Sequence, residues 1–340
     1  MIPQEKSAAV TRGLREAFGV TSFEDIRSLK SGPSSVLVFR IVVRGSPFLL
    51  RIILRTDDPA RHFANMRVAA EAGLAPRVWY TSIPDRISIT GFVEAVPFPL
   101  TDALVRMPAA LRALHALPPF AGVPNHINTS CMFLLNQGTA LDGFLQRFQA
   151  ANLVPKGESE ELFARYAQVA AVYPHRGPDM VSSHNDLYKP DNILFDGDRV
   201  WLVDWEAAFL NDRYADLAAV ANLLVADDAQ ERVYLEEYFG HPPDRYQLAR
   251  LFLMRQVAHL FYAMAYLLKG ASGEPVKPSG NAPGWSESQR RIWVGEVHLE
   301  DEQTAYGRAH WEQSLQNVRQ ARFDEAVRVV SEAGGPACQS

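Results

Sequence analysis

The stretch that decides the fold is residues 181–206, VSSHNDLYKPDNILFDGDRVWLVDWE. Its second half contains two short apolar runs, residues 193–195 and 200–203, on either side of an Asp-Gly pair. Asp-Gly between two β-forming runs is typical of a tight hairpin turn. The sequence therefore predicts a β-hairpin that holds Asn192, at the entry of its first strand, level with Asp204, at the exit of its second.

Three oxygen-bearing side chains are expected to lie close to this hairpin. Asp186 precedes Asn192 by six residues, so that Asp186, Asn192 and Asp204 can converge on one point. Hard oxygen ligands suit Mg²⁺, which usually takes one or two protein carboxylates together with substrate phosphates. A further carboxylate beside the metal can accept a proton from an attacking hydroxyl group. A His-x-Asp triplet or an acid-rich turn is by itself more often a solvated loop, and only their combination indicates a site.

The combination resembles the active-site motifs of protein-kinase-like folds. His-Asn-Asp at 184–186 with Asn192 looks like the catalytic loop, and Asp-Trp-Glu at 204–206 looks like the metal-binding motif. These motif residues are most similar to those of the aminoglycoside phosphotransferase and choline/ethanolamine kinase superfamily. That superfamily also has a later Asn-Asp-x-x-x-Asp-Leu-Ala motif, here residues 211–218. The resemblance implies an α+β, bilobal protein-kinase-like fold. Its small N-terminal lobe would hold a five-stranded antiparallel sheet, and its C-terminal lobe would be mainly helical.

The resemblance also implies ATP and Mg²⁺ as cofactors and gives a role to each matching residue. Asp186 is implied as the catalytic base, and Asn192 and Asp204 are implied as ligands of Mg²⁺. Glu206 is a further candidate, either for the metal through a water molecule or for contact with the acceptor. Lys189 is expected to balance charge on the transferred phosphoryl group.

One spacing departs from the family pattern. In the family the Asn usually falls five residues after the catalytic Asp, whereas Asn192 falls six residues after Asp186. Asp191 has the usual spacing and is the alternative ligand. Asn192 is preferred because it directly precedes the strand at 193–195. Both residues stay open as the first metal ligand.

Five apolar segments in the N-terminal part predict strands. They are residues 26–30, 36–43, 48–54, 76–80 and 87–94. The short turns between them favour an antiparallel sheet. Prolines follow the last strand, and we place the domain boundary there. The expected division is a nucleotide-binding lobe at 1–95 and a catalytic, acceptor-binding lobe at 96–340.

Nucleotide contacts follow from the resemblance. The small-residue turn at 31–35, with Ser34 and Ser35, is expected to cover the phosphates through its main-chain N–H groups. Arg51, in the third strand, is expected to pair with the α- and β-phosphates. The hinge that would bond the adenine is placed at three residues, Phe92, Val93 and Glu94.

The predicted helix at 59–73 lacks one expected residue. In the family this helix often supplies a Glu that pairs with the strand cation. The first half of the helix contains no Glu: His62 stands in its place, and Glu71 lies near the C-terminal end. Either another residue orients Arg51 or nucleotide binding is altered.

The C-terminal part has helical periodicity. Helices are predicted at residues 102–117, 139–152, 158–173, 214–225, 228–239, 244–269 and 300–333. Two segments without periodicity, 121–138 and 270–285, are expected to be loops, the first of them near the substrate. Asp216 is expected to brace the catalytic loop, and His115 is read as a packed histidine rather than a catalytic one.

Composition excludes several other classes of protein. The net charge is −5 and no block of basic residues occurs, so nucleic acid is not an expected partner. Cys131 and Cys338 have no metal-ligand spacing. The N-terminus lacks the pattern of a signal peptide. The apolar window at 251–268 contains Arg, Gln and His, which favours a buried helix over a membrane span. A cytoplasmic protein without a membrane partner is expected.

These features predict an ATP- and Mg²⁺-dependent small-molecule kinase that transfers the γ-phosphate to a hydroxyl group. The acceptor is expected to be an amino alcohol like choline, ethanolamine or thiamine, or an aminoglycoside. Aromatic residues that could form a cage for a quaternary ammonium group, or simply pack in the core, are Tyr262, Tyr266, Trp285, Trp293 and Trp311. Acids that could bind an aminoglycoside, or simply face solvent, are Glu236, Glu237 and those in residues 296–302. The alternatives are a catalytically weak pseudokinase that binds nucleotide and a metal-dependent hydrolase.

Overall fold

The computed structural model describes residues 2–29, 35–56, 58–120, 139–174, 178–271, 285–296 and 302–333. The helices are α1 (Gln4–Phe18), α2 (Ala60–Glu71), α3 (Leu100–His115), α4 (Thr139–Ala151), α5 (Lys156–Val172), α6 (Arg213–Leu224), α7 (Asp228–Phe239), α8 (Arg245–Gly270), α9 (Trp285–Trp293), α10 (Gln303–Val318) and α11 (Ala321–Ala333). The strands are β1 (Asp25–Ser28), β2 (Val36–Val43), β3 (Ser46–Ile53), β4 (Val78–Ser82), β5 (Ile87–Gly91), β6 (Met180–Ser183), β7 (Ile193–Phe195), β8 (Val200–Leu202) and β9 (Phe209–Asp212). The α+β class predicted from the sequence is confirmed.

The chain forms two compact units. Unit 1 comprises Met1–Pro97, Phe120–Gly122 and Asp191–Ala208, and unit 2 comprises Phe98–Pro119, Val123–Pro190 and Phe209–Ser340. The hairpin at the centre of the sequence pattern therefore groups with the N-terminal residues. This grouping does not test the predicted domain boundary at residue 95, which stays a prediction.

Unit 1 contains the predicted five-stranded antiparallel sheet, in the order β1-β2-β3-β5-β4. Side chains alternate between the two faces of a strand, and one face of β3 buries Leu50 and Ile52 completely. These residues pack in one cluster with Val10 and Leu14 of α1. Arg51, between the two buried residues, therefore belongs to the opposite face of a central strand. The sheet ends earlier than predicted, because β5 stops at Gly91 rather than at residue 94.

The predicted hairpin is β7 and β8, also in unit 1. Ile193 pairs with Leu202 in antiparallel register. Gly197, in the turn, has φ 99°, a conformation that favours glycine. Asp196 accepts hydrogen bonds from the Trp201 indole and from two main-chain N–H groups of the turn, and these bonds lower its pKa to about 2. The charged carboxylate thus fixes the turn that sequence reasoning located.

Unit 2 is mainly helical, as predicted. Its core contains α8, from which residues such as Leu253, Met254 and Leu267 are almost fully buried. By length and composition α8 is the one described helix that could cross a membrane, but 78% of its apolar window is buried within the fold. It is therefore accounted for as a core helix.

Several elements of unit 2 differ from the sequence prediction. Strands β6 and β9 form a two-stranded sheet that was not predicted, because four-residue strands leave little periodic signal. Helix α9 was also missed. The single helix predicted at 300–333 is wrong: α10 and α11 are separated by a turn in which Phe323 N–H donates to Gln320 O at 2.9 Å. The predicted loop at 121–138 and most of that at 270–285 lie outside the described residues.

Candidate active site

The cation of β3 and the acids after β8 form the charged centre of unit 1. Arg51 Nη2 donates to Asp204 Oδ1 at 3.0 Å and also to Glu206 Oε1. The Arg51 side chain is 14% exposed, so its charge needs acidic partners. Burial acts to lower the pKa of Arg51, but Asp204 and Glu206 outweigh burial and raise it above its usual value. The structure thus brings together three residues that the sequence placed in one site.

Asp204 has an uncommon backbone conformation, with φ 67° and ψ 62°. This left-handed region is costly for most residues other than glycine, although short polar side chains such as Asp tolerate it best. Strained residues of this kind cluster at active sites. Asp204 lies two residues after strand β8 and precedes a single 3₁₀ turn, Trp205–Ala207, which turns the chain directly after the proposed metal ligand.

Helix α2 holds the segment that follows Asp204 through its polar side chains. Arg61 donates to the main-chain oxygens of Glu206 and Ala208, and Asn65 Nδ2 donates to Ala208 O at 2.8 Å. His62 Nδ1 lies 4.0 Å from Glu206 Oε1. Burial, with Arg51 as the next cause, lowers the pKa of His62 to about 3, so the imidazole is neutral at pH 7.

Glu206 is bonded at both carboxylate oxygens. Oε1 accepts from Arg51, and Oε2 lies 2.7 Å from Nη2 of Arg55. Sequence reasoning singled out neither Arg55 nor Arg61. Arg55 follows the end of strand β3, and Arg61 lies at the start of helix α2. Cations at such positions are usually solvated surface residues, so nothing in the sequence assigned these two to the site.

The two candidates for the first metal ligand differ in their surroundings. Asn192 is 5% exposed and closes a 3₁₀ turn, Pro190–Asn192, and its carbonyl oxygen accepts from Val203 N–H at 3.0 Å. This bond ties the start of β7 to the residue before Asp204. Asp191 is exposed to solvent.

The donor set fits Mg²⁺ better than a metal held by protein alone. No group of three or more His, Cys, Asp or Glu side chains in the described segments could hold a metal ion. Magnesium does not need such a cage, because it commonly takes one or two protein oxygens and completes its shell with water and phosphate. Asp204 and Asn192, the two residues predicted as ligands, have one carboxylate and one amide oxygen that could serve in this way.

The expected nucleotide contacts are described in part. Ser34 lies outside the described residues, and Ser35 is exposed and its carbonyl accepts from Leu54 N–H at 2.8 Å. The predicted hinge residues, Phe92, Val93 and Glu94, follow β5 in backbone without regular secondary structure. Within the described part of the chain, no main-chain group of these three residues takes part in a backbone hydrogen bond. Glu94 instead bonds Arg40 through its side chain at 3.3 Å.

Unit 2 carries the predicted base. Asp186 is 7% exposed, and its Oδ2 accepts from Lys189 Nζ at 2.9 Å. The ammonium group also lies 5.2 Å from the ring centroid of Tyr188. A buried carboxylate with one cationic partner is held in a defined position next to a residue that can balance negative charge.

Asp216 braces the loop that carries Asp186, as expected. Its two carboxylate oxygens accept from the main-chain N–H groups of His184 and Asn185, both at 2.7 Å. His115 Nε2 lies 3.3 Å from Asp216 Oδ2, and Tyr238 lies 2.6 Å from His115 Nδ1. Burial acts to raise the pKa of Asp216, but the bond to His115 and the neighbouring groups hold it below its usual value. His115 is packed, as predicted, and its support of Asp216 is a role that the sequence did not show.

Asn185 adds a second brace. Its φ is 65°, and its side chain accepts from Asn211 Nδ2 at 2.7 Å while donating to the carbonyls of Ser183 and Phe209. Both strands of the β6–β9 sheet therefore hold the residue before Asp186.

Three of the five aromatic residues proposed for a cage come together. Tyr262, Tyr266 and Trp285 belong to one cluster with Tyr306 and His310. Tyr188, two residues after Asp186, contacts this cluster with a centroid distance of 4.0 Å to Tyr262. Trp293 and Trp311 pack elsewhere, against Phe98 and Phe148.

The strand order of unit 1, the braced His-Asn-Asp loop and the Asp that follows the hairpin are the features expected of the kinase-like class of phosphotransferases. The chain belongs to the phosphotransferase enzyme family, whose model matches residues 25–251. Comparison with curated proteins gives no match.

Solved structures share the fold at low sequence identity. A choline/ethanolamine kinase family protein from Mesorhizobium loti is 18% identical, with a TM-score of 0.67 over 96% of this chain and 99% of that one. Macrolide 2'-phosphotransferase MphH from Brachybacterium faecium is 18% identical, with a TM-score of 0.56 over 85% and 99%. The ternary complex of APH(2")-IIa with streptomycin and ATP is 13% identical, with a TM-score of 0.56 over 90% and 99%. At these identities the likeness concerns the fold, and it confirms the predicted protein-kinase-like architecture.

Proposed function

We propose that the protein is an ATP- and Mg²⁺-dependent kinase that phosphorylates a hydroxyl group of a small molecule. The observation that carries this proposal is the loop of Asp186, a buried carboxylate whose two preceding main-chain N–H groups are fixed by Asp216 at 2.7 Å. Phosphoryl transfer asks a protein mainly for positioning and for neutralisation of charge. A carboxylate fixed in this way is suited to receive a proton from an attacking hydroxyl group.

The nucleotide would be bound by groups of unit 1. Arg51 is the cation for the α- and β-phosphates, and the main chain at 92–94 offers hydrogen-bonding groups for the adenine. Ser34 and Ser35 stay predicted phosphate contacts. Asn192 and Asp204 would hold Mg²⁺, which neutralises charge on the phosphates when bound. One structure of similar fold was solved with ATP, which supports a nucleotide of this class.

Asp186 and Lys189 would act on the transferred group. In the proposed reaction the acceptor oxygen forms a bond to the γ-phosphorus, the bond from that phosphorus to the β,γ-bridging oxygen breaks, and ADP leaves. The hydroxyl proton goes to Asp186. Lys189, 2.9 Å from Asp186 in the structure, would offset negative charge on the phosphoryl oxygens.

An amino alcohol is the acceptor class that the side chains favour. Tyr188 joins the loop of Asp186 to buried aromatic rings, and aromatic faces attract quaternary ammonium groups. Among the acids proposed for an aminoglycoside, Glu296 bonds Arg290 at 2.7 Å and Glu302 bonds Arg291 at 3.3 Å, whereas Glu236 and Glu237 are exposed. Structures of similar fold include both choline/ethanolamine and aminoglycoside or macrolide enzymes, so both classes belong in the test.

The pseudokinase alternative rests on two departures from the family pattern, the missing helix Glu and the extra residue between Asp186 and Asn192; the structure bears on the first of them. Arg51 nevertheless has two acidic partners, Asp204 and Glu206, which weakens the reason for that alternative. The hydrolase alternative required His184, Asp186 and Asp204 to act on a phosphoester without ATP. Membership of a phosphotransferase family favours transfer over that reaction.

A panel of acceptors tests the proposal. With Mg·ATP we expect choline, ethanolamine or a related amino alcohol to stimulate ADP release well above the rate without acceptor. Kanamycin and a macrolide serve as comparison acceptors, and chelation of Mg²⁺ with EDTA should remove the stimulated rate. Release of ADP that no acceptor in either class changes would contradict the proposed function.

A matched pair of substitutions decides the first metal ligand. We expect Asn192→Ala to raise the Mg²⁺ concentration needed for half-maximal activity by about 10–100-fold, as loss of groups that support a metal commonly does. Asp191→Ala should leave this concentration unchanged, because Asp191 is exposed whereas Asn192 is buried beside the hairpin. The Mg²⁺ dependence of ADP formation is the measurement. The reverse order of the two effects would assign the ligand to Asp191.

A further inference from the structure

The glutamate that is expected on α2 to orient Arg51 is absent. The first half of α2 contains no acidic residue, and the position expected for a Glu is occupied by His62. An imidazole is either neutral or cationic, so His62 cannot replace a carboxylate as the partner of Arg51. A buried guanidinium that must face phosphates still needs an acid that holds it in one direction.

Glu206 supplies that acid from a different element. Its Oε1 accepts directly from Arg51 Nη2, and its Oε2 is held by Arg55 at 2.7 Å. The glutamate is therefore anchored at one oxygen while it orients Arg51 with the other. The side chain of Glu206 is 22% exposed, which leaves this pair partly shielded from solvent.

Helix α2 contributes through the backbone instead of through a carboxylate. Arg61 and Asn65 donate to the main-chain oxygens of Glu206 and Ala208. These bonds fix the segment from which the Glu206 side chain projects. The imidazole of His62, 4.0 Å from Glu206 Oε1, also fits this arrangement, because a second carboxylate at that place would repel the first.

We propose that Glu206 is the positioning residue that directs Arg51 toward the nucleotide phosphates, in place of a glutamate from α2. This inference rests on the proposed function. Asp204, the other partner of Arg51, is the proposed metal ligand, and Glu206 is then the acid that remains to hold Arg51 when nucleotide is bound. Glu206 would act on nucleotide binding through Arg51 and not through a metal ion.

Nucleotide binding with and without metal tests the inference. Isothermal titration calorimetry would measure the Kd of ATP in EDTA and in excess Mg²⁺ for the wild type and for Glu206→Gln. We expect Glu206→Gln to raise the Kd by about 10–100-fold in both conditions, the usual cost of losing a hydrogen bond between charged groups. A metal ligand would instead change the Kd only with Mg²⁺, and Asn192→Ala, at the other proposed metal ligand, serves as the control for that behaviour.

A relocated carboxylate provides the second variant. Because His62 lies beside Glu206, the double variant His62→Glu/Glu206→Gln places one acid on α2 again, and we expect it to recover much of the lost affinity in EDTA. His62→Glu alone should weaken binding, since it crowds two carboxylates. Glu161→Gln, at an exposed ion pair with Arg319, is the matched control and should bind ATP like the wild type. Unfolding midpoints of all variants would be compared.

The outcomes separate the inference from the proposed function. Wild-type affinity of Glu206→Gln for ATP in EDTA, or a loss confined to Mg²⁺, would overturn the role of Glu206 and leave the kinase assignment standing. If Glu206→Gln does not fold, the folded double variant is compared with Arg51→Gln. A double variant that binds ATP no more tightly than Arg51→Gln would then overturn the role of Glu206. Absence of ATP binding to the wild type in either condition would instead refute the proposed function.

Discussion

Asp186→Ala is expected to lower kcat for phosphoryl transfer by about 10²–10⁴-fold, the range that general base catalysis contributes. The physical reason is that the loop places one buried carboxylate where a hydroxyl proton can be received, and alanine has no basic atom. Binding of Mg·ATP should change little, because the proposed nucleotide contacts are Arg51, Asn192, Asp204 and the main chain at 92–94. Steady-state ADP formation gives kcat, and calorimetry gives the Kd of the nucleotide.

Asp186→Asn is the isosteric companion to this variant. It can still accept a hydrogen bond from Lys189, which pairs with Asp186 at 2.9 Å, so the loop should keep its geometry without its base. An equal loss of kcat in both variants, with unfolding midpoints like that of the wild type, would attribute the effect to chemistry. Wild-type turnover by either variant would refute the assignment of Asp186.

Asp204→Ala is expected to remove the strengthening of nucleotide binding by Mg²⁺ and to lower activity by roughly 10²–10³-fold. A metal contributes several kcal/mol of charge stabilisation in such reactions, and each 1.36 kcal/mol corresponds to about tenfold in rate. The Kd of ATP would be titrated at rising Mg²⁺ concentration for both proteins. The wild-type Kd should fall as Mg²⁺ rises, whereas that of the variant should stay constant.

The control for this variant is a carboxylate in the same hairpin. Asp198 is exposed in the turn between β7 and β8, and Asp198→Ala should keep the Mg²⁺ dependence of the wild type. Because Asp204 also bonds Arg51, the affinity in EDTA separates its two contacts. A Kd of Asp204→Ala that still falls with Mg²⁺ as in the wild type would refute its role as metal ligand.

Much of the fold was predictable because its signals are local. The Asp-Gly turn located the hairpin, and strand alternation placed Arg51 opposite to Leu50 and Ile52. These features depend on neighbouring residues, so a single sequence contains them. The sheet of five strands and the mainly helical C-terminal part followed from the same periodicities together with the resemblance.

The elements that were not predicted depend on contacts between distant residues. Strands β6 and β9 are only four residues long and become visible through their pairing. The turn between α10 and α11 contains neither glycine nor proline, so the amphipathic pattern continues across it.

The sequence predicted which residues belong to the candidate site, but not which of them contact one another. The pairing of Glu206 with Arg51 joins residues 155 apart in the chain, and that of His115 with Asp216 joins residues 101 apart. No spacing rule connects such residues. The choice between Asn192 and Asp191 was likewise open from spacing, and in the structure the two residues differ in exposure, since Asn192 is buried and Asp191 is exposed.

The most direct measurement is phosphorus NMR of the wild type and of Asp186→Ala, each incubated with Mg·ATP and the acceptor that most stimulates ADP release. We predict that the wild type moves the γ-phosphate onto the acceptor, giving a phosphate monoester in equal amount to ADP, and that the variant leaves ATP intact. Formation of inorganic phosphate instead of the monoester, or equal product from both proteins, would contradict a kinase with Asp186 as its base.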